Sequence, residues 1–108
     1  MKREPSVRFL PAASQAVAAQ ADYYVSVSES NLHERWRRAV ERSFVALLSV
    51  PTGGALCHFN DPKLADLRRW PVKGFPNHLI FYRYLDEENT LIVVDVVHGA
   101  RDLPVTLR

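Results

Sequence analysis

The sequence predicts an α+β fold in one domain, residues 1–108: an N-terminal strand, an antiparallel helix hairpin, and then a three-stranded antiparallel meander. Three observations lead there. Apolar residues recur at helical spacing through the first half of the chain, and beyond about residue 66 the period becomes that of strands. A stretch with Pro and Gly separates the two halves, so helices and strands are segregated rather than alternating.

The first strand spans Ser6 to Leu10, where Val7 and Phe9 alternate with Ser6 and Arg8. Pro11 suits the first turn of a helix, because its missing N–H has no intrahelical acceptor there anyway. The alanine-rich run from Ala12 to Val27 follows without Gly or a further Pro. Ala13, Ala16, Val17, Tyr24 and Val27 fall near one face, whose small residues invite close approach of a neighbour. Ser28 to Asn31 is a break. Asn31 with Glu34 three residues on has the form of a capping box for the second helix. Leu32, Trp36, Val40, Ser43, Phe44 and Leu47 make its apolar stripe, with Arg35, Arg37, Arg38, Glu41 and Arg42 on the other sides. Val50-Pro51-Thr52-Gly53-Gly54 ends it. The short connection makes the two helices an antiparallel pair.

Residues 51–65 read as irregular. Leu67 to Lys73 is a strand in which Pro71 calls for an edge position or a bulge, since proline has no N–H for the ladder. Gly74 to Asn77 is a turn, Leu79 to Leu85 a strand, and Asp86 to Asn89 a polar turn. Thr90 to Val97 is apolar on both faces apart from Asp95, which predicts a central strand.

Composition excludes more than it assigns. Fourteen basic and 12 acidic residues leave a net charge of +2, too mild to imply a nucleic-acid partner, so any basic site must be local. Cys57 is the only cysteine, which rules out an intrachain disulfide and fits a reducing cytoplasm. No apolar run approaches the roughly 20 residues that span a bilayer. Met1 to Pro5 carries charge without an apolar stretch behind it, unlike a secretory signal. His33, His58 and His78 show no ligand spacing with one another or with Cys57, and there is no Gly-rich phosphate loop, so neither a metal nor another cofactor is expected.

The segment Leu67-Arg68-Arg69-Trp70-Pro71-Val72-Lys73-Gly74-Phe75, followed by His78-Leu79-Ile80-Phe81-Tyr82-Arg83-Tyr84, resembles the central hairpin of the RelE/ParE toxin superfamily. Val96-Val97-His98-Gly99-Ala100-Arg101-Asp102-Leu103 is similar to the Val-hydrophobic-His-Gly-Ala-Arg-Asp ending of its ParE branch. Phe9-Leu10-Pro11-Ala12-Ala13 and the Pro51-x-Gly53 turn stand where that family has similar features. The resemblance implies a bacterial toxin that a cognate antitoxin neutralises in a hetero-oligomer by laying an extended or helical tail across it. DNA would be met only indirectly, through the antitoxin. ParE-branch members inhibit DNA gyrase, whereas RelE-branch members enter the ribosome and cut messenger RNA. The His-Gly-Ala-Arg-Asp ending favours the first.

An RNA-cleaving relative needs groups to activate the 2′-hydroxyl, stabilise the phosphorane and protonate the leaving oxygen. Lys73, Arg83, His98 and Arg101 are the residues available for that work. Arg68, Arg69, Trp70, Arg83 and Arg101 are the candidates for contact with the antitoxin or the target, since Trp and Arg dominate protein interfaces. Each also has a purely structural explanation. Arg68 and Arg69 flank an edge strand, where charges face water and deter edge pairing. Lys73 borders a turn. Arg83 is either half-buried and paired or directed into a groove. His98 could close the sheet by hydrogen bonding to backbone, and Arg101 with Asp102 could form a local ion pair. The last residues, Pro104 to Arg108, hold no Tyr or His, unlike many RNA-cleaving relatives, which weighs against nuclease activity. The arginines of the second helix read as the solvated face of an amphipathic helix, given Glu34 and Glu41 among them.

Overall fold

Residues 4–27, 31–57 and 62–98 are described by the computed structural model. Strand β1 (Ser6–Phe9) leads into helices α1 (Pro11–Val27) and α2 (Leu32–Ser49). Strands β2 (Ala55–Leu56), β3 (Arg68–Val72), β4 (Phe75–Leu85) and β5 (Thr90–His98) follow. They join in one five-stranded sheet of order β1-β5-β4-β3-β2. The expected meander is its β3-β4-β5 portion. The sheet is wider than the meander because β1 pairs parallel with β5 and β2 pairs antiparallel with β3. No helix among the described residues is long and apolar enough to cross a membrane.

The helix hairpin covers one face of the sheet. The α2 stripe is buried as its period requires, with Trp36 and Leu47 fully enclosed and Val40, Ser43 and Phe44 nearly so. Ala13 and Ala21 of α1 are buried, which lets that helix sit close to its neighbours. Val27 departs from the expected inner face: it is 57% exposed, because no described residue covers the last turn of α1. The capping box is not formed either. Asn31 makes no side-chain cap hydrogen bond at φ −76° and ψ 33°, outside the extended region an N-cap side chain needs, and its carbonyl accepts the Arg35 N–H instead. The indole N–H of Trp36 donates to the Val17 carbonyl at 3.2 Å and fastens the two helices together.

β5 lies between β1 and β4 and is buried on both faces. Leu91, Val93 and Val96 enter the helix-side core with Ile80 and Tyr82. Val94 and Val97 meet a second cluster on the opposite face, formed by Cys57, Leu64, Leu67, Phe81 and Leu79. The stretch expected to be irregular thus contributes a two-residue strand, the short 3-10 turn Pro62–Leu64 and a small core of its own. Pro71 sits at a register irregularity between Pro71 and Val72, beyond the reach of β2, which pairs only with Arg68 and Arg69. Bulge and edge are both present. The expected turn at Gly74–Asn77 is shorter than that: Lys73 and Gly74 alone make it, with Gly74 at φ 87°, and β4 begins at Phe75.

Candidate functional site

The two arginines at the start of β3 have different surroundings. Arg68 is half-buried, and its guanidinium donates to the carbonyls of Thr52 and Gly54 at 3.0 and 2.8 Å. It is an anchor for the 51–54 turn rather than a solvated edge charge. The Tyr82 hydroxyl works on the same turn, donating to the Pro51 carbonyl at 2.9 Å and accepting the Gly54 N–H at 3.0 Å. Burial pushes the Tyr82 phenol up, against the opposing pull of the Gly54 N–H and the Arg68 charge, so the hydroxyl keeps its proton. Gly54 has to be glycine for this closeness, because a Cβ there would collide with the Tyr82 hydroxyl and lie 2.7 Å from the Arg69 carbonyl.

Arg69 is exposed and, by strand alternation, belongs to the opposite face, in register with Phe81. Trp70 is half-buried against the helix-side core. Arg83 Nε donates to Asp66 Oδ1 at 2.9 Å, with 29% of the Arg83 side chain exposed. It is therefore half-buried and paired, with Asp66 as a partner. Asp95 is in register with Phe81, two pairs away, and its carboxylate accepts the Val96 N–H at 2.8 Å. Burial raises its pKa above the usual carboxylate value, partly offset by that N–H. Burial likewise raises Cys57, with Arg69 pulling the other way. His98 pairs with His78 at the end of β5, while its side chain and the whole Gly99 to Asp102 segment, Arg101 included, lie outside the described residues. His78 is buried with its ring 4.7 Å from Trp36 and 6.2 Å from Phe75, inside an aromatic cluster. Among the described residues no three His, Cys, Asp or Glu side chains gather closely enough to hold a metal ion.

Among the described residues the candidates do not converge on one pocket. Arg68 and Trp70 lie on the helix side of the sheet, Arg69 and Arg83 on the other. Lys73 stands in a groove against α2, and this juxtaposition was not legible in the sequence. Two grooves flank α2. One, of about 320 Å³, is apolar: Val7 and Phe9 of β1, Val17 of α1, and Val40, Phe44, Val45 and Leu48 of α2 line it, with Arg37 and Glu41 also present. Phe9 is 39% and Val45 63% exposed, and the Phe9 ring meets Phe44 edge-on at 5.1 Å. The other, of about 460 Å³, is lined by Arg35, Arg38 and Arg42 of α2 with Lys73, Gly74 and Phe75 of the β3–β4 turn.

A mixed sheet with a helix hairpin on one face is the fold of chains in known toxin–antitoxin systems. The structure is similar to a chain of the chromosomal ParDE TA system from P. aeruginosa, with a TM-score of 0.67 at 14% identity, covering 87% of this chain and 95% of that one. It is also similar to chains of the toxin–antitoxin complexes RelBE2 from Mycobacterium tuberculosis and RelBE from E. coli. Their TM-scores are 0.59 and 0.57 and their identities 20% and 16%; they cover 87% and 90% of this chain and 96% and 99% of theirs. At these identities the likeness establishes the fold. Comparison with curated proteins gives no match. The family follows from the sequence itself: the model of the ParE toxin of the type II toxin–antitoxin system parDE matches residues 7–103, and the chain belongs to that family.

Proposed function

We propose that this chain is a toxin that inhibits DNA gyrase by binding, without cutting a nucleic acid, and that a cognate antitoxin silences it. Membership in the ParE toxin family supports the reading. The observation that carries it is the condition of the sheet face opposite the helices. An endoribonuclease built on this sheet needs an open face with unengaged cations and a proton-transfer group in reach of one phosphate. Here Leu64, Leu67, Leu79, Phe81, Val94 and Val97 fill that face with a small core. Of the two candidate arginines on that face, Arg83 is paired with Asp66 and Arg69 alone is left exposed.

The apolar groove beside α2 is the antitoxin seat in this reading. An amphipathic helix laid in it would cover Phe9 and Val45, which are costly to leave in water. The similarity to chains of ParDE and RelBE systems supports a partner of that kind.

The purified chain is expected to block supercoiling by gyrase in a plasmid assay and to leave messenger RNA intact with or without ribosomes. Arg83→Ala and His98→Ala, with folding verified, should keep full toxicity. Ribosome-dependent cleavage of messenger RNA, abolished by either substitution, would replace this reading with that of a RelE-type endoribonuclease.

A further inference from the structure

The groove on the other side of α2 has a different chemistry. Arg35, Arg38 and Arg42 fall within roughly 60° of arc at 3.6 residues per turn, so they form one rail along the helix. The rail is about 10 Å long at 1.5 Å rise per residue. Lys73 faces it from the β3–β4 turn and makes the opposite wall. The wall is held in place from below: the Ser43 hydroxyl, 1% exposed, accepts the Lys73 N–H at 2.9 Å and donates to the Ala39 carbonyl at 2.7 Å. A partly buried hydrogen bond thus ties the turn that carries Lys73 to the helix that carries the arginines. No carboxylate among the described residues lines the groove. Among the described residues Arg35, Arg42 and Lys73 make no ion pair, and the pair between Arg38 and Glu34, 3.5 Å apart with both side chains at least half exposed, is of the weak surface kind. At the mouth, Gly74 presents bare backbone: a Cβ there would meet nothing within 4 Å.

We propose that this groove binds the phosphodiester backbone of a nucleic acid. Neighbouring phosphates of one strand lie farther apart than the ~3.4 Å rise per residue along a duplex axis, so a rail of about 10 Å with Lys73 opposite it spans about two of them. Guanidinium groups match phosphate oxygens with paired N–H donors. An acidic protein fits less well, because the arginines that anchor protein interfaces do so in well-packed, desolvated pockets beside aromatic side chains. Among the described residues the only apolar side chain that lines this groove is the half-buried Phe75, whereas the apolar groove lies across the helix. α2 therefore divides its two flanks between a protein partner and a polyanion. The proposal departs from the sequence-based expectation that DNA is met only through the antitoxin. The proposal does not rest on gyrase as the target.

The test is fluorescence anisotropy of the full chain with short labelled oligonucleotides, single-stranded RNA and duplex DNA, over a range of salt. Arg35→Gln, Arg38→Gln, Arg42→Gln and Lys73→Gln should each weaken binding about three- to tenfold and flatten the salt dependence by close to one counterion. Arg37→Gln, on the apolar side, should bind as wild type does. All five residues are exposed, and circular dichroism melts verify the fold of each variant. Tighter binding of one oligonucleotide names the source of the phosphates, and either result supports the site. Equal affinity of the four variants and the wild type overturns it. So does binding of a polyglutamate peptide where neither oligonucleotide binds. Gyrase inhibition is read in a separate assay, so the two proposals fail independently.

Discussion

Tyr82 shows how much one buried hydroxyl can organise. It satisfies two backbone groups of the 51–54 turn from a strand 28 to 31 residues away. Tyr82→Phe leaves both without their protein partner, at a cost of about 1–3 kcal/mol. A lower urea midpoint at unchanged m-value should report this; an unchanged midpoint would mean that water replaces the hydroxyl. Asp95 makes the opposite contribution. Its folded pKa lies above the unfolded one because burial disfavours the carboxylate. Between those two values the folded state binds more protons, so the contribution of Asp95 to stability falls as pH rises through the window. Asp95→Asn keeps an acceptor for the Val96 N–H and removes the buried charge. It should be more stable than wild type at pH 7, and the advantage should shrink as pH falls toward the unfolded carboxylate value, as measured by denaturation at a series of pH values.

Among the elements, α2 was the most legible, because a single helical period records which side is buried. Trp36, Val40, Ser43, Phe44 and Leu47 are all buried. β5 was legible for the same reason, with no face free of apolar side chains. Pro71 announced its bulge because a missing N–H leaves few places in a sheet. The pairings that need distant partners left no such trace. Neither β2 nor the Cys57–Leu67 cluster has a local period, and the parallel match of β1 with β5 depends on a strand more than 80 residues on. The capping box failed because a residue pattern names possible bonds, while the Asn31 backbone decides whether its side chain can make them. At the site the individual cations were visible and their grouping was not. Lys73 reaches the α2 arginines only through the Ser43 bond, and Arg83 finds Asp66 across the sheet face. Trp36 tests the element as a unit: Trp36→Phe deletes the N–H bond to Val17 and opens a small void, costing about 1–3 kcal/mol. The melting temperature should drop by several degrees, with far-UV dichroism unchanged below the transition.

On the scale of the whole molecule, helix α2 is the axis about which the surfaces are arranged, core inward and a groove on either flank. Val45 gives a clean probe of the apolar flank because it is exposed in the free chain. Val45→Glu should fold normally and stay toxic, yet lose at least tenfold in affinity for the antitoxin, since a charge would be buried unpaired in the complex. Co-expression of the variant with the product of the neighbouring reading frame checks this: growth rescued as fully as with wild-type toxin would move the antitoxin seat elsewhere.

The union of β1 with β5 has a temporal consequence. Ser6 and Thr90 share a hydrogen bond across 84 residues, so the first strand to leave the ribosome has no mate until almost all the chain has been synthesised. At roughly 5–20 residues per second, that interval is about 4–17 s. Throughout it the sheet is incomplete and the apolar flank of α2, whose wall is Val7 and Phe9 of β1, is unfinished. An antitoxin seated in that groove therefore docks only once the last strand has been made.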